Sequence, residues 1–396
     1  MSADLAPGWR VPLLAAGFVS LVLGVGAGLF LRSLARLQEV SPGFDPRGVM
    51  TAALALPRVQ YQEPAKQIAF HRGVQERLAA IPGAQAAGIG IPMPFSGSGA
   101  SASFRIEGRT AGPGDPGPHG DVRYVTPGYF EALRIPLKRG RLFTDQDRQG
   151  AQPVVVIDEN LAQQYWPNQD ALGKHMRRGD RAPWSTIVGI VGHVKHSDLA
   201  ADSGKGVYYY AMFQQPVPFA QVAVRGGSDP ARLAAAIRDA VRAVDPNQPV
   251  NTLKTMEDLV ARSLAPRRFV MRLLGFFAGV ALFLSALGLY GVISYSVAQR
   301  TQEIGVRMAL GAQQGSVLAM VVGQGLRLAG AGMLIGLVAS AGLGRLVRGL
   351  LFEAPAFDSL TFSAMAATLI GAALLASYIP ARRATRVDPL EALRYE

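Results

Sequence analysis

Residues 11–31, VPLLAAGFVSLVLGVGAGLFL, form an apolar run without a single charged residue. Its length matches the roughly 20 residues that a helix needs to cross the hydrocarbon layer of a membrane. A cleaved signal peptide has a shorter apolar region, of about 7 to 15 residues, and a small-residue cleavage site, which does not follow here. We therefore interpret the run as a membrane helix, which argues against a soluble protein.

Three further apolar stretches lie near the other end of the chain, after a long polar region from about residue 32 to residue 272. Arg327 interrupts the middle stretch, so we place its crossing from about Leu326 and leave residues 316–324 in the interface, where an arginine can snorkel. The sequence thus predicts a four-helix membrane protein with one soluble domain inserted after the first helix. The three stretches are 273–297, one that begins between 317 and 328 and ends near 343, and 362–379.

The composition limits the classes of function. The chain has 396 residues, of which 49% are hydrophobic and 17% charged, and it contains no cysteine, so disulfides, thiol catalysis and cysteine zinc sites are excluded. A net charge of +12 would suit nucleic acid or anionic lipid. Because the arginines are scattered through loops and membrane flanks without a nucleic-acid motif, we expect lipid, and no nucleic acid, as the partner of this charge.

Four crossings fix which parts of the chain share a side of the membrane. Both termini and the loop between the second and third helices lie on one side, and the soluble domain lies on the other. That loop, 295–315, reads YSVAQRTQEIGVRMALGAQQG and carries three charges, Arg300, Glu303 and Arg307, between two apolar stretches. The positive-inside rule does not decide the absolute orientation, because arginines flank the membrane on both sides.

The soluble domain begins and ends with the same order of elements, strand, helix, strand. This repetition suggests a split α+β sandwich of the ferredoxin-like kind. An insertion with its own elements and two Gly/Ser/Pro-rich loops, 95–102 and 111–120, separates the two units. The predicted elements are 49–56, 64–80 and 84–91 in the first unit; 121–125, 154–157, 159–165, 186–194 and 207–212 in the insertion; and 221–225, 231–244 and 249–253 in the second unit, whose helix Asp229 and Pro230 begin.

A short helix connects the domain to the membrane. Thr255 and Asp258 form a predicted capping box for residues 256–263, and only Leu264, Ala265 and Pro266 separate this helix from the second crossing. So short a connection should transmit rigid-body motion, although a simple spacer would look the same.

No motif supports catalysis. The fragments around Lys174 and Lys205 fail the P-loop pattern, and residues 96–101 lack a nucleophile elbow. His193 and His196 have no accompanying carboxylate or HExxH helix, so an ordinary surface pair is favoured over a metal site. We predict no catalytic, cofactor or metal site and therefore no enzyme.

The charged loop has the pattern of an amphipathic helix. Arg300, Glu303 and Arg307 fall at spacings of three and four and can pair along one stripe. Val297, Ile304 and Met308 form a neighbouring apolar stripe, and Gly311 ends the helix. A solvated loop is the common alternative, but the order of the stripes suggests a surface that docks a partner.

Several segments resemble one family, the MacB/FtsX-type ABC transporter permeases, and most closely one unit of the large acidobacterial-type members in which the unit is duplicated. The resemblance covers essentially the whole chain. It is carried by GAGLFLRSLARLQEVSPGFDPRGVMTAALALP (26–57), YVTPGYFEALRIPLKRGRLFTDQD (124–147), VVVIDENLAQQYWPNQDALGKHMR (154–177), LYGVISYSVAQRTQEIGVRMALGA (289–312), LLFEAPAFDSLTF (350–362) and ASYIPARRATRVDPLEALRYE (376–396).

The resemblance implies an extracytoplasmic, two-lobed α+β domain in the periplasm and cytoplasmic termini, in a multi-pass protein of the bacterial inner membrane. The implied segments are 1–31, a tail and the first transmembrane helix; 32–272, a MacB-like periplasmic core with a porter-like lobe at 47–91 and 216–254 and an inserted lobe at 92–215; and 273–396, an FtsX-like permease domain with three transmembrane helices and a cytoplasmic tail containing Arg382, Arg383 and Arg386.

The resemblance also implies a function and partners. A separate ATPase subunit would meet the surface formed by Arg300, Glu303, Ile304, Arg307 and Met308, and its ATP hydrolysis would move the periplasmic domain, a mechanism called mechanotransmission, in efflux or export. The resemblance further implies a second permease unit, either an identical copy or a related half. The alternative is a membrane-tethered signalling or binding protein of the FtsX type without transport.

The topology is directly testable. We expect reporters fused after Glu396 and inside the loop 299–314 to be cytoplasmic, and a reporter near Gly114 to be external, because four crossings place the loop and the domain on opposite sides. Reporter activity on both sides of the membrane measures this. A loop and a Gly114 site on the same side would contradict the four-helix topology.

Overall fold

The computed structural model describes residues 7–110, 117–200, 204–227, 229–300, 303–304, 306–307, 310, 313–346 and 358–384. The chain divides into two compact units, Met1–Glu39 with Pro266–Glu396, and Val40–Ala265. The segment boundaries implied by the resemblance, after residues 31 and 272, fall inside the first and second long helices. These helices continue through their basic flanks, which the apolar pattern alone does not include.

The helices and strands follow in chain order. The helices are α1 (Pro7–Glu39), α2 (Pro64–Ala79), α3 (Tyr129–Leu133), α4 (Glu159–Tyr165), α5 (Pro230–Arg242), α6 (Met256–Ser263), α7 (Ala265–Gln299), α8 (Gln314–Leu346) and α9 (Ser359–Ala384). The strands are β1 (Val49–Ala55), β2 (Ala84–Ile91), β3 (Ser101–Ile106), β4 (His119–Val125), β5 (Leu137–Gly140), β6 (Val154–Asp158), β7 (His175–Arg178), β8 (Ser185–Val191), β9 (Val207–Ala211), β10 (Phe219–Gly226) and β11 (Val250–Thr255).

Four helices, α1, α7, α8 and α9, are long and apolar enough to cross a membrane, as the sequence predicts. The interfacial segment predicted at 316–324 and the crossing predicted from Leu326 belong to one continuous helix, α8. Its part beyond Arg327 is still about 30 Å long at 1.5 Å per residue, which is enough to span the hydrocarbon layer. Arg327 is exposed, so its side chain can extend toward the interface.

Small residues bring the membrane helices together. Gly24 and Gly28 of α1 lie so close to α9 that an added Cβ would come within 2.0 Å of Met365 and 2.4 Å of Thr361. Gly336 of α8 is similarly close to α1. Without a hydrophobic driving force between helices in lipid, such close packing supplies much of their attraction.

An ion pair joins two helix ends in the same unit. Asp358, which directly precedes α9, is buried and pairs with Arg32 of α1. The second carboxylate oxygen of Asp358 accepts a hydrogen bond from the backbone N–H of Thr361 at 3.2 Å, so it also caps α9. The pair thereby fixes the start of α9 beside α1.

The domain unit contains the predicted ferredoxin-like lobe. Its four strands follow the order β11, β1, β10, β2, all antiparallel. One hydrophobic core collects apolar residues of these strands and of α2 and α5, including Phe70, Val74, Leu78, Ile237 and Val241. The crossover helices bury their apolar stripes against the sheet, as the repeated strand–helix–strand pattern indicates.

The inserted lobe closes its strands into a ring. Pairing runs from β4 through β3, β7, β8, β6 and β9 and back to β4, and β5 pairs with β8. The sequence pattern missed α3, β3, β5 and β7. Two predicted loops are also partly wrong, because residues 101–102 belong to β3 and residues 119–120 to β4, while residues 111–116 lie outside the described part of the chain.

His71 of α2 is fully buried, and its two ring nitrogens have no hydrogen-bond partner among the described residues. Burial lowers the pKa of His71 from its usual 6.5 to about 4. The unfolded chain therefore binds a proton near pH 6.5 that the folded chain accepts only near pH 4, so the unfolding free energy falls as the pH drops through this window.

We predict that lowering the pH from 7.5 to 5 reduces the unfolding free energy by about 2 kcal/mol through His71 alone, at about 1.4 kcal/mol per pKa unit. His71→Leu should flatten the pH dependence by this amount, measured by urea unfolding of the full chain in detergent with tryptophan fluorescence. His175→Leu, a change at a half-exposed histidine, is the control. An equal slope in His71→Leu and the unaltered chain would contradict the prediction.

Candidate functional site

The charged turn follows α7 and is helical at four of its described residues. Glu303, Ile304, Val306 and Arg307 are helical. The N–H of Ile304 donates to the carbonyl oxygen of Arg300 at 2.9 Å, which is the spacing of an α-helical bond. Glu303 and Arg307 are therefore held on a helical turn that comes after the end of α7 at Gln299.

The predicted pairing within the charged stripe is present. Arg307 Nη2 donates to Glu303 Oε1 at 2.6 Å, and Arg307 Nη1 lies 3.5 Å from the sulfur of Met320 on α8. About half of each charged side chain is exposed, 46% for Arg307 and 52% for Glu303. An ion pair this exposed contributes only about 0 to 1 kcal/mol to folding, so it leaves both charges available to a partner.

Ile304 attaches the turn to α8 through an apolar contact. Its side chain is only 8% exposed and packs against Val297 and against Val317 of α8. The resemblance placed Ile304 on the docking surface, but within this chain it lies beneath that surface. Its contacts position the charges above it and fix the turn to α8.

The space beside the turn is small. The cleft between the turn and α8 has a volume of about 20 Å³ and is lined by Arg300, Glu303, Arg307, Met320 and Gln324, with apolar residues of both helices below. This is room for about one water molecule. Among the described residues of the turn, this cleft is therefore too small for an organic ligand.

The structure describes only some of the remaining predicted site residues. Met308, Gly311 and Arg386 lie outside the described residues. Arg382 and Arg383 are exposed at the end of α9. Arg383 Nη1 donates to the hydroxyl of Tyr290 on α7 at 3.1 Å, so this arginine links two membrane helices. Sequence reasoning missed Tyr290, although a tyrosine in the last turns of an apolar helix is typical of a membrane interface.

The connection from α7 to the domain is as short as the sequence predicts. Thr255 caps α6, accepting a hydrogen bond from the N–H of Asp258 at 3.1 Å. Leu264 alone separates α6 from α7 in the chain. α7 has 35 residues and is about 50 Å long, well beyond the roughly 30 Å of the hydrocarbon layer.

The prediction of a surface histidine pair without a carboxylate is wrong, because His193 and His196 are partly buried and Asp158, distant in the sequence, pairs with His193. His193 Nδ1 is hydrogen-bonded to Asp158 Oδ2 at 2.5 Å. Asp158 is fully buried and caps α4 by accepting from the N–H of Leu161 at 2.9 Å. Burial, the largest effect, raises the pKa of Asp158. Within the described ranges, the structure contains no group of three or more His, Asp or Glu side chains suited to a metal ion.

Comparisons with known proteins agree with this architecture. The model of the MacB-like periplasmic core domain matches residues 14–240, more than half of the chain, and the model of the FtsX-like permease C-terminal domain matches residues 275–389. The chain belongs to the MacB/FtsX permease family. It is thus a membrane protein whose inserted domain is extracytoplasmic.

Individual relatives of this family member are distant. The macrolide export ATP-binding/permease protein MacB 2 of Aeromonas hydrophila is 28% identical over 290 residues, which cover 70% of this chain and 43% of that protein. The pyoverdine export ATP-binding/permease protein PvdT of Pseudomonas syringae pv. tomato is 25% identical over 277 residues, which cover 68% and 42%. The chain therefore spans about two fifths of the length of these relatives.

Among solved structures, the periplasmic region of MacB from Actinobacillus actinomycetemcomitans is similar to this chain. The match covers 57% of this chain and 95% of that one, with 13% sequence identity and a TM-score of 0.38.

The anchoring role of Ile304 leads to a prediction. Ile304→Ala should raise the rate of trypsin cleavage after Arg300 and Arg307 by about tenfold, which is about 1.4 kcal/mol of lost local stability, because a buried contact with α8 is removed. Mass spectrometry of the digested, detergent-solubilised protein measures both cuts. Val306→Ala is the matched control, because Val306 is 43% exposed in the same turn. Equal cleavage rates for the two variants would exclude the anchor.

Proposed function

We propose that the chain is the permease subunit of a MacB/FtsX-type ABC transporter in the bacterial inner membrane, where a separate ATPase subunit drives movement of its periplasmic domain. The membership of the family supports this proposal, and both relatives described above are named as export ATP-binding/permease proteins. Export is accordingly the direction that we propose for transport.

One observation carries the proposal, the charged turn after α7. Its Glu303–Arg307 pair is half-exposed, and the turn is held to α8 through Ile304. Four crossings put this turn on the side opposite the domain, where a cytoplasmic ATPase would reach it. A turn fixed to α8 is suited to transmit force, because a flexible loop would change its own conformation when the ATPase moves and would not displace α7.

We propose that α7 carries the movement across the membrane. The helix is continuous from Ala265 to Gln299, the charged turn follows it in the chain at one end, and Leu264 joins it to α6 of the domain at the other. A rotation or translation of the turn would pass along this helix without a hinge. Such mechanotransmission needs no polar path for the substrate through the membrane.

We also propose a second permease unit, most simply a second copy, against the outer part of α7. The buried residues of α7 are confined to its last third, and an exposed stripe precedes them with alternating spacings of four and three residues. A 3.5-residue spacing is compatible with a helix–helix seam, and Gly275 and Gly279 beside the stripe are open. The stripe consists of Phe269, Leu273, Phe276, Val280, Phe283 and Leu287, and the neighbouring Val270, Phe277 and Leu284 are exposed as well, so the apolar face is broad.

Charge reversal tests the docking surface. We predict that Arg307→Glu and Arg300→Glu each weaken recovery of the ATPase and stimulation of its hydrolysis by at least about tenfold, because like charges at an interface cost several kcal/mol. The same changes should leave folding almost unaltered, since the Glu303–Arg307 pair is exposed. Co-purification with the ATPase subunit and nucleotide hydrolysis are measured together.

Two controls separate docking from stability. The swapped variant Glu303→Arg/Arg307→Glu retains an ion pair within the turn and should still fail to bind the ATPase. Arg105→Glu, which breaks a similarly exposed ion pair with Asp180 on the domain, should bind normally. Wild-type recovery and stimulation for Arg300→Glu and Arg307→Glu would mean that the turn is a solvated loop and would remove the proposed coupling site.

A further inference from the structure

An open groove lies in the extracytoplasmic domain. One face of α2 forms one wall, the segment after β5 forms the other, and Phe213 forms the floor. Its volume is about 360 Å³, within the roughly 300 to 1,000 Å³ of sites that bind small molecules. The two walls belong to the two lobes of the domain, since α2 lies in the ferredoxin-like lobe and residues 145–148 in the inserted lobe.

Each wall of the groove carries one positive and one negative side chain. Arg72 and Glu76 lie one turn apart on α2, and Asp145 and Arg148 lie three residues apart on the opposite wall. Within the described ranges, none of these four side chains forms an ion pair. Two positive and two negative side chains thus face one concave surface. This mixture of charges suits neither a ligand that carries only negative charge, such as a nucleic acid, nor one that carries only positive charge.

The floor and the middle of the groove add two further features. The Cζ atom of Arg72 lies over the Phe213 ring, 5.1 Å from its centre, and the ring itself is 2% exposed. This packing holds Arg72 in place. Oε1 of Gln75 is buried and lacks a hydrogen-bond partner among the described residues, so an acceptor is left next to the charged groups.

We infer that this groove binds a short peptide or peptide-like molecule that carries both a carboxylate and an amine. The carboxylate pairs with Arg72 or Arg148 and the amine with Glu76 or Asp145. An apolar side chain of the ligand stacks on the guanidinium plane above Phe213. Export of the bound molecule rests on the proposed function, whereas the binding itself does not.

A fluorescence titration tests the site on the full chain in detergent without any ATPase. Because the chain has no cysteine, Ala79→Cys places a single environment-sensitive fluorophore at the groove. The probe is the tripeptide Lys-Phe-Glu, and its neutral analogue is acetyl-Gln-Phe-Gln-amide. We expect a saturable signal with the charged peptide and at least about tenfold weaker binding of the analogue, which is about 1.4 kcal/mol. Arg148→Ala and Asp145→Ala should each weaken binding of the charged peptide by a similar factor.

Controls on the same domain make the outcome decisive. The same fluorophore at Arg77→Cys, exposed on α2 outside the groove lining, should give no saturable signal, and Arg238→Ala on α5 should leave the affinity unchanged. The absence of saturation up to about 10 mM, which is weaker than a millimolar site, would overturn the inference, as would equal affinity for the neutral analogue. Arg307→Glu, which is expected to lose the ATPase, should bind the tripeptide normally, so failure of the site and failure of the coupling are distinguishable.

Discussion

The hydrocarbon layer of the membrane is the constraint on which the rest of the molecule depends. A backbone without water must satisfy its hydrogen bonds internally, so the four apolar segments are helices. In the predicted topology, α7 is the one crossing between the domain Val40–Ala265 and the turn around Glu303 and Arg307, so a crossing by α7 puts the two on opposite sides. Any communication between the two has to pass through helices, and α7 enters the domain with one intervening residue, Leu264.

Three of the membrane helices are closely packed, whereas much of α7 is exposed, and this difference fits the proposed movement of α7. α1, α8 and α9 approach one another through small residues such as Gly24, Gly28 and Gly336. α7 is buried only near its end, at Leu289, Val292, Ile293 and Ser296. The part of α7 before these residues instead carries most of its exposed apolar side chains, such as Phe269, Phe276 and Phe283, and a second permease unit would cover them while leaving the connection of α7 to the turn intact.

Sequence reasoning predicted the features that arise from local patterns. The apolar runs gave the four membrane helices, and Asp229 and Thr255 marked the starts of α5 and α6 through their caps. It missed β3, β5 and β7, which have four to six residues and little apolar alternation, because strands this short depend on their neighbours in the sheet. The ring closure by β4 and β9 joins strands about 80 residues apart and leaves no local signal.

The dependence on contacts distant in the sequence also limits what could be predicted of the site. The spacing of Glu303 and Arg307 predicted their ion pair, but the burial of Ile304 depends on Val317 of another helix, and the groove depends on contacts between two lobes.

The central claim, that the ATPase moves the domain through the charged turn and α7, is tested most directly by a distance measurement. A spin label at Lys66→Cys, an exposed position on α2 of an otherwise cysteine-free chain, reports the separation of two domains in a dimer bound to its ATPase. We predict that ATP binding shifts this distance by roughly 5 Å or more, as in known domain rearrangements, and that Arg307→Glu abolishes the shift. Identical distance distributions with and without ATP, in a complex that hydrolyses ATP at the normal rate, would contradict the claim.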